Sequence, residues 1–281
     1  KNKFSKFNPI ILEFEKNKQK HYNIIVKIPG EKSDSPLVFA GHTDTVPETH
    51  GWEKSCFTPR KEGNKIYGLG ASDMKSGIAC AMSAALDIKF MPPQDVYLIF
   101  DADEEDTQLG IKNILENFSL RNSRIILLEP SDDKIIFGHK GCLDLSIEIK
   151  GEAIHSSKAD FSYQKSKSAI IKAIPVISSL EKYSKKIEER IDKKLGKATL
   201  NIGKIEAGSA PNIVADKCTI RICRRVIPEE NIEEVYEEIE DLVKENCKDA
   251  KIETTFLVKP YATSINSQFF KRLKEISSKH I

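Results

Sequence analysis

The order of apolar runs along the chain limits the folds that it can adopt. Over the first 140 residues, short runs rich in β-branched and aromatic residues alternate with helical patterns. This alternation is typical of an α/β layer built around a mostly parallel, buried sheet. The predicted strands are Asn23–Ile28, Pro36–Ala40, Lys65–Tyr67, Asp95–Phe100 and Arg124–Leu128, and the predicted helices are Lys75–Ile88 and Leu109–Phe118.

The pattern changes after Gly141. Leu143–Ile149 alternates apolar and polar residues, as a half-exposed antiparallel strand does. The elements that follow complete the order strand–helix–strand–strand–helix–strand of a ferredoxin-like domain, and Pro175 is expected to kink or divide the first helix. We therefore predict an inserted domain at residues 142–259 and a first domain made of residues 1–141 and 260–281. The later predicted strands are Thr199–Ile205, Lys217–Cys223 and Lys251–Val258, with helices near 169–187, 232–243 and 268–281.

Composition excludes several classes of protein. Lys and Arg number 44 against 42 Asp and Glu, so the net charge of +2 offers no basic face for nucleic acid. No apolar run approaches the roughly 20 residues that cross a bilayer, and the N-terminus has no signal-peptide pattern. The six cysteines form no CxxC pair, which favours free thiols in a reducing cytoplasm. The chain begins without Met and ends inside a predicted helix, so further residues are expected at both ends.

The first polar segment after an apolar strand is Gly41-His-Thr-Asp44. Residues two apart in an extended chain point the same way, so Asp44 can orient the His42 imidazole as a carboxylate behind a metal-bound histidine does. A glycine-rich turn, Gly68-Leu-Gly70, then delivers Asp73 just before a helix of small residues. Taken singly, His42 could be an ordinary residue at a strand end, and Asp73 could be a helix N-cap.

A third segment, Phe100–Asp106, contains five acidic residues among seven, directly after an apolar strand. A solvated acidic loop is one interpretation. The other is a metal site, because clustered carboxylates are costly unless cations or protons neutralise them. Glu129 ends a fourth apolar strand, and Pro130 stops its pairing.

These four segments place one histidine and several carboxylates at the carboxyl ends of different strands. Ligands bind at that edge in open α/β sheets. Mixed imidazole and carboxylate ligands suit Zn²⁺, with Mn²⁺ or Co²⁺ as alternatives, and adjacent carboxylates can divide the work of metal ligand and proton acceptor.

At this point the sequence resembles the co-catalytic zinc aminoacylase and carboxypeptidase family, which includes acetylornithine deacetylase, succinyl-diaminopimelate desuccinylase and glutamate carboxypeptidase. The resemblance extends from about residue 23 to the end of the chain. It rests on four motifs in the family's order: GHTDTVP at 41–47, YGLGASDMKSG at 67–77, DADEE at 101–105 and LLEPSD at 127–132.

The resemblance implies two metal ions and a role for each matching residue. His42 and Glu129 would bind one metal, Glu105 the second, and Asp73 both, through a turn whose Asp73–Met74 peptide is cis. Glu104 would be the general base that takes a proton from the attacking water and returns it to the leaving amine. Asp44 would support His42.

The resemblance also implies roles in the inserted domain, which would act as a lid and as a dimer interface. His155 would polarise the substrate carbonyl, Asn212 would contact substrate, and Arg225 would grip the substrate carboxylate. Without the resemblance, His155 could be an ordinary polar residue at a strand end, and Arg225 could be a solvated charge. Two departures from the family are Cys223, where Asp is usual, and Ser76, where Gly is usual, and Cys223 makes the alignment of Arg225 less secure.

The function implied is metal-dependent hydrolysis of an amide bond in a small N-acyl amino acid or dipeptide, in a cytoplasmic homodimer that binds neither nucleic acid nor membrane. The family's last histidine ligand has no matching motif here, and His280 lies in a Lys-rich helical context. Two alternatives therefore stay open: a non-catalytic metal-binding or regulatory relative, and an α/β binding module whose acidic edge holds a structural cation.

Overall fold

The apolar runs of the N-terminal half assemble into a five-stranded sheet in a computed structural model that describes residues 7–52 and 55–279. The described part of the chain divides into two compact units, with the boundary between residues 134 and 135. The strands of the first unit are β1 (Ile10–Lys16), β2 (Gln19–Ile28), β3 (Leu37–His42), β4 (Arg60–Glu62), β5 (Lys65–Tyr67), β6 (Val96–Asp101) and β7 (Arg124–Leu127), and its helices are α1 (Ser76–Asp87) and α2 (Leu109–Asn117).

The sheet has the strand order β1-β2-β6-β3-β7. Strands β6, β3 and β7 pair in parallel, and β2 pairs antiparallel with both β1 and β6. Four of the five strands thus run the same way, so the prediction of a mostly parallel sheet in an α/β layer is confirmed. A small separate ribbon pairs β4 with β5.

Helices cover the two faces of this sheet. The α1 residues Ile78, Ala81 and Ala85 pack with Leu98 and Phe100 of β6 on one face. On the other face, Ile114 of α2 packs with Ile25, Val38 and Ile99. Because β6 buries residues on both faces, it reads as a continuous apolar run rather than as an alternating one.

The hairpin β1–β2 is absent from the sequence predictions for residues 10–22. Asn17 and Lys18, with φ of 51° and 63°, connect the two strands in a two-residue turn. Positive φ at both positions is typical of the tight hairpin turn that matches strand twist. Such a turn usually contains glycine. Because this one does not, the sequence lacks the usual signal for a hairpin.

The second unit contains eight strands and four α-helices among the described residues. The elements are β8 (Gly138–His139), β9 (Gly141–Lys150), α3 (Phe161–Lys167), α4 (Ala169–Ile187), β10 (Ile191–Asp192), β11 (Gly196–Lys197), β12 (Thr199–Ala207), β13 (Lys217–Val226), α5 (Ile232–Asn246), β14 (Lys251–Val258), β15 (Tyr261–Ala262) and α6 (Gln268–Ser277). The main sheet is antiparallel with the order β12-β13-β9-β14, and α4 and α5 pack on one face.

The strand–helix–strand–strand–helix–strand order predicted for residues 142–259 is confirmed by β9, α4, β12, β13, α5 and β14. Helix α4 continues through Pro175 without dividing. In the structure, residues 260–279 pack with the second unit, where β15 pairs with β8, whereas the predicted boundaries assign 135–141 and 260–281 to the first domain. The assignment of these two segments to functional domains, and the insertion and lid role of 142–259, stay predictions. None of the described helices is both long and apolar enough to cross a membrane.

Candidate metal centre

Three parallel strands bring their carboxyl ends to one edge of the first sheet. His42 at the end of β3 lies opposite Asp101 at the end of β6 in the parallel register. The peptide N–H of Leu128 donates to the Ala40 carbonyl at 2.9 Å, so Glu129 follows directly beside the end of β3. The acidic segment 101–105 and Glu129 therefore begin on either side of His42.

The His42 imidazole lies at the centre of this edge, with 2% of the residue exposed. Its Nε2 lies 3.1 Å from Asp73 Oδ1, 3.7 Å from Glu129 Oε1 and 4.0 Å from Glu104 Oε2. These carboxylates come from three segments that are far apart in the sequence. The structure thus brings together four of the residues predicted at the site.

Asp44 connects the imidazole to the acidic segment. Its main-chain oxygen lies 3.2 Å from His42 Nδ1, and its Oδ1 lies 3.6 Å from the same nitrogen. The Asp44 carboxylate also accepts hydrogen bonds from the peptide N–H groups of Glu104 and Glu105, at 3.2 Å each. A carboxylate held in this way orients the ligand-bearing segments around it.

Asp73 is positioned by the turn Ala71–Lys75 that precedes α1. The Asp73–Met74 peptide is cis, as the resemblance implies. Met74 is fully buried, and its Sδ accepts a hydrogen bond from His42 N at 3.2 Å. Gly41 leaves room for it, since a Cβ at that position would stand 2.4 Å from Met74 Cε.

The electrostatics of the cluster follow from burial and from crowding of like charges. Burial lowers the pKa of His42, but the hydrogen bond with Asp73 and the charges of Glu129, Glu104 and Asp44 outweigh it and leave that pKa raised. Burial is the main cause that raises the pKa of Glu104, and it raises the pKa of Glu129 to about 7, with Asp73 and Glu104 adding to it. A bound cation would favour the charged carboxylates instead.

Two overlapping sets of donor atoms could hold metal ions. One set is His42, Asp73 and Glu129, and the other is His42, Glu104 and Glu105; within each set the donor atoms lie within 4.8 Å of one another. An imidazole nitrogen with carboxylate oxygens is a donor set that fits Zn²⁺, and also Mn²⁺ or Co²⁺. The donor types therefore suit the metals that the resemblance implies, while the assignment of individual ligands to each metal stays a prediction.

Part of the acidic segment has a structural task that the sequence patterns do not predict. The Asp103 carboxylate accepts from Lys16 of β1, from the Thr107 hydroxyl and from Leu109 N. Lys16 also pairs with Asp106 at 2.6 Å. Alternation of apolar residues along Ile10–Lys16 is the one signal that could have placed Lys16 on a strand of this sheet.

The buried side-chain amide of Asn23 holds the acidic segment against the sheet. Asn23 of β2 is fully buried; its Nδ2 donates to Gly110 O at 2.9 Å, and its Oδ1 accepts from Ala102 N at 3.1 Å. Asn23 therefore ties the acidic segment and the start of α2 to the sheet. Its position in a predicted strand gives no hint of this role.

In the second unit, His155 and Asn212 lie on neighbouring segments. His155 forms an isolated β-bridge with Ile213, and Ser156 N donates to the Asn212 carbonyl at 2.9 Å. The His155 Nδ1 lies 2.8 Å from the Ser157 hydroxyl, and the side chain is exposed. Arg225 is also exposed. It lies at the C-terminal end of β13, whereas Asn212 precedes the N-terminal end of that strand at Lys217. Their roles toward substrate stay predictions.

Comparison with known proteins agrees with this geometry. The model of peptidase family M20/M25/M40 matches residues 38–280. An acetylornithine deacetylase of Pectobacterium carotovorum is 33% identical over 214 residues, which cover 74% of this chain and 54% of that protein. An acetylornithine deacetylase of Aliivibrio salmonicida is 27% identical over 96% of this chain and 72% of its own length. The chain thus spans about half the length of the first of these curated relatives.

Solved structures share the fold at low sequence identity. An M20 family metallo-carboxypeptidase from Sulfolobus solfataricus is 17% identical with a TM-score of 0.75, covering 99% of this chain and 76% of that chain. A dinuclear metal-binding peptidase of the M20 family from Bacillus subtilis is 16% identical with a TM-score of 0.66, covering 99% and 71%. With its motifs, sheet and family match in agreement, the chain belongs to peptidase family M20/M25/M40.

Proposed function

We propose that this protein hydrolyses the amide bond of a small N-acyl amino acid or dipeptide, as a deacylase similar to acetylornithine deacetylase. The observation that carries the proposal is the convergence of Asp73, Glu104 and Glu129 within 4.0 Å of His42 Nε2. Membership of a metallopeptidase family and the deacetylases among its relatives support the reaction class.

The site would hold two divalent metals, with Zn²⁺ preferred and Co²⁺ or Mn²⁺ able to replace it. His42, Asp73 and Glu129 would bind one ion, and Asp73 and Glu105 the other. When bound, such ions supply a water of lowered pKa and polarise the substrate carbonyl.

The protein's own groups would then direct the proton transfers. Glu104 would accept the proton of the attacking water and deliver it to the leaving amine. Asp44 keeps Glu104 and Glu105 in place through their peptide N–H groups. His155 would donate to the carbonyl oxygen as negative charge develops on it, Asn212 would contact substrate, and Arg225 would pair with a substrate carboxylate.

Assembly and location form part of the proposal. The protein would form a homodimer through residues 142–259, which would also close over the substrate as a lid, and it would work in the cytoplasm. Its described cysteines are all free thiols, which suits a reducing compartment.

The test is a panel of N-acetyl and N-succinyl amino acids and dipeptides, assayed with protein loaded with Zn²⁺ or Co²⁺. Glu104→Ala should reduce kcat by about 10² to 10⁴-fold, the usual contribution of a general base, while metal content is unchanged. Glu116→Ala, on the exposed face of α2, is the matched control and should retain activity.

Activity retained in Glu104→Ala would remove Glu104 from this role. The alternative function, a non-catalytic metal-binding relative, draws on one observation: within the described part of the chain, His42 is the one histidine in the two donor sets. One bound metal without turnover on any substrate of the panel would favour that alternative.

A further inference from the structure

A second group of metal-type donors lies in the second unit, on the main antiparallel sheet. Cys142 and Asp144 belong to β9 and Cys223 to β13, with Cys223 directly opposite Asp144 in the register. The Cys142 Sγ lies 3.7 Å from Cys223 Sγ and 3.3 Å from Asp144 Oδ1. All three donor atoms lie within 4.8 Å of one another.

The three side chains share the face of the sheet that turns away from the helices. Residues two apart on a strand point to the same face. Leu143 and Leu145, which alternate with Cys142 and Asp144, pack into the core beneath α4 and α5. Cys142 is buried, whereas Asp144 and Cys223 are half-buried, so the group can be reached from this polar face.

We propose that Cys142, Asp144 and Cys223 bind a single thiophilic divalent cation, Zn²⁺, at a site separate from the His42 centre. Zn–S bonds of about 2.3 Å at a tetrahedral angle place two sulfurs about 3.8 Å apart, and a Zn–O bond of about 2.1 Å places sulfur and oxygen about 3.6 Å apart. The observed separations of 3.7 Å and 3.3 Å are close to these values.

The chemistry of the donors points to the same ion. Thiolates select Zn²⁺ over harder cations such as Mg²⁺ or Mn²⁺, and three protein ligands leave one position for water. A disulfide requires sulfurs about 2.05 Å apart, much closer than the 3.7 Å between these two. The Asp144 carbonyl accepts from the Thr255 hydroxyl at 3.2 Å, which ties the ligand strand to β14.

A thiol hydrogen bond is the competing explanation of these distances. Burial raises the pKa of Cys142 to about 12 and also raises the pKa of Cys223, so both sulfurs carry protons until a cation displaces them. A bound ion produces sulfur–metal bonds, and a hydrogen bond does not. Spectroscopy of a metal probe therefore separates the two explanations.

The experiment titrates Co²⁺, as a spectroscopic probe of the zinc site, into the reduced full chain. Sulfur-to-cobalt charge-transfer absorption reports the proposed site alone, because the His42 centre contains no cysteine among its described residues. The expected result is one equivalent of Co²⁺ per chain with this absorption, displaced by Zn²⁺. Absence of the absorption at saturating Co²⁺ would overturn the proposal.

Variants assign the signal to its ligands. Cys142→Ser and Cys223→Ser should each weaken Co²⁺ binding at this site at least tenfold, whereas Cys80→Ser, an exposed thiol on α1, should leave the absorption unchanged. Cys223→Asp replaces the sulfur donor with an oxygen donor, so this variant should bind Co²⁺ with weaker charge-transfer absorption. Circular dichroism checks that each variant is folded, and unchanged absorption in folded Cys142→Ser and Cys223→Ser would contradict the assignment.

Discussion

At the scale of single residues, the candidate centre depends on side chains that hold the ligands as well as on the ligands themselves. Asp44 contacts the imidazole side of the site and accepts from two peptide N–H groups of the acidic segment. Met74 supports His42 from the core through its sulfur. Such partners set ligand orientation, so their loss affects metal affinity without removing a ligand.

Asp44→Asn is predicted to weaken metal binding by about 10- to 100-fold, as the loss of a supporting partner usually does. An amide can accept from one of the Glu104 and Glu105 N–H groups, but its NH₂ would face the other donor. Zn²⁺ affinity, measured by competition with a chromophoric chelator, checks this. Asp34→Asn in an exposed loop is the control, and equal affinities in the two variants would contradict the prediction.

At the scale of elements, a partly buried ion-pair network connects β13 with α4 and α5 in the second unit. Arg224 has a fully buried side chain and pairs with Glu230, which also accepts from Arg190 at 3.0 Å. Arg190 and the Tyr183 hydroxyl both reach Glu238 on α5, at 3.0 Å and 2.7 Å. The alternation along β13 leads one to expect an apolar residue at position 224, so the network is not predicted from sequence.

Glu230→Ala is predicted to destabilise the protein by about 3–5 kcal/mol, because it leaves the buried Arg224 guanidinium without its carboxylate. Glu233→Ala removes an exposed pair with Lys259 and should destabilise the protein much less, because solvent screens that pair. Urea unfolding, followed through the transition of the second unit, measures the free energy of unfolding of both variants. Similar values for the two variants would show that the buried pair contributes no more than the exposed one.

The boundaries of several elements agree with the sequence predictions to within one residue. Strands β5 and β14 have the predicted ends, α1 is one residue shorter than predicted at each end, and α2 is one residue shorter at its C-terminal end. The hairpin β1–β2 was missed because its turn carries no glycine. Pro175 does not divide α4, whose buried residues on both sides of the proline belong to one core.

At the scale of the whole molecule, the two units offer different donor atoms to metal ions. All residues of the His42 centre belong to the first unit, and the sulfur-containing group belongs to the second. A hard cation should therefore act on the first unit alone, whereas Zn²⁺ can bind in both units.

Mn²⁺, which prefers oxygen donors, is predicted to stabilise the first unit alone, by about 2.7 kcal/mol at 100 times its Kd. Hydrogen exchange read by mass spectrometry should slow in residues 37–44, 71–77 and 101–106, with no change in β9 or β13. His42→Ala should abolish the effect. Equal protection of both units would contradict this division.

The sequence by itself determined the class of fold and the four motifs, because strand and helix periodicity and the residues at strand ends are local properties. The tertiary structure alone decided which carboxylates of the acidic segment are paired with Lys16, since that choice depends on how β1 lies in the sheet. It alone also brought Cys142 and Cys223 together, 81 positions apart. Contacts between distant segments arise from packing, which no local pattern records.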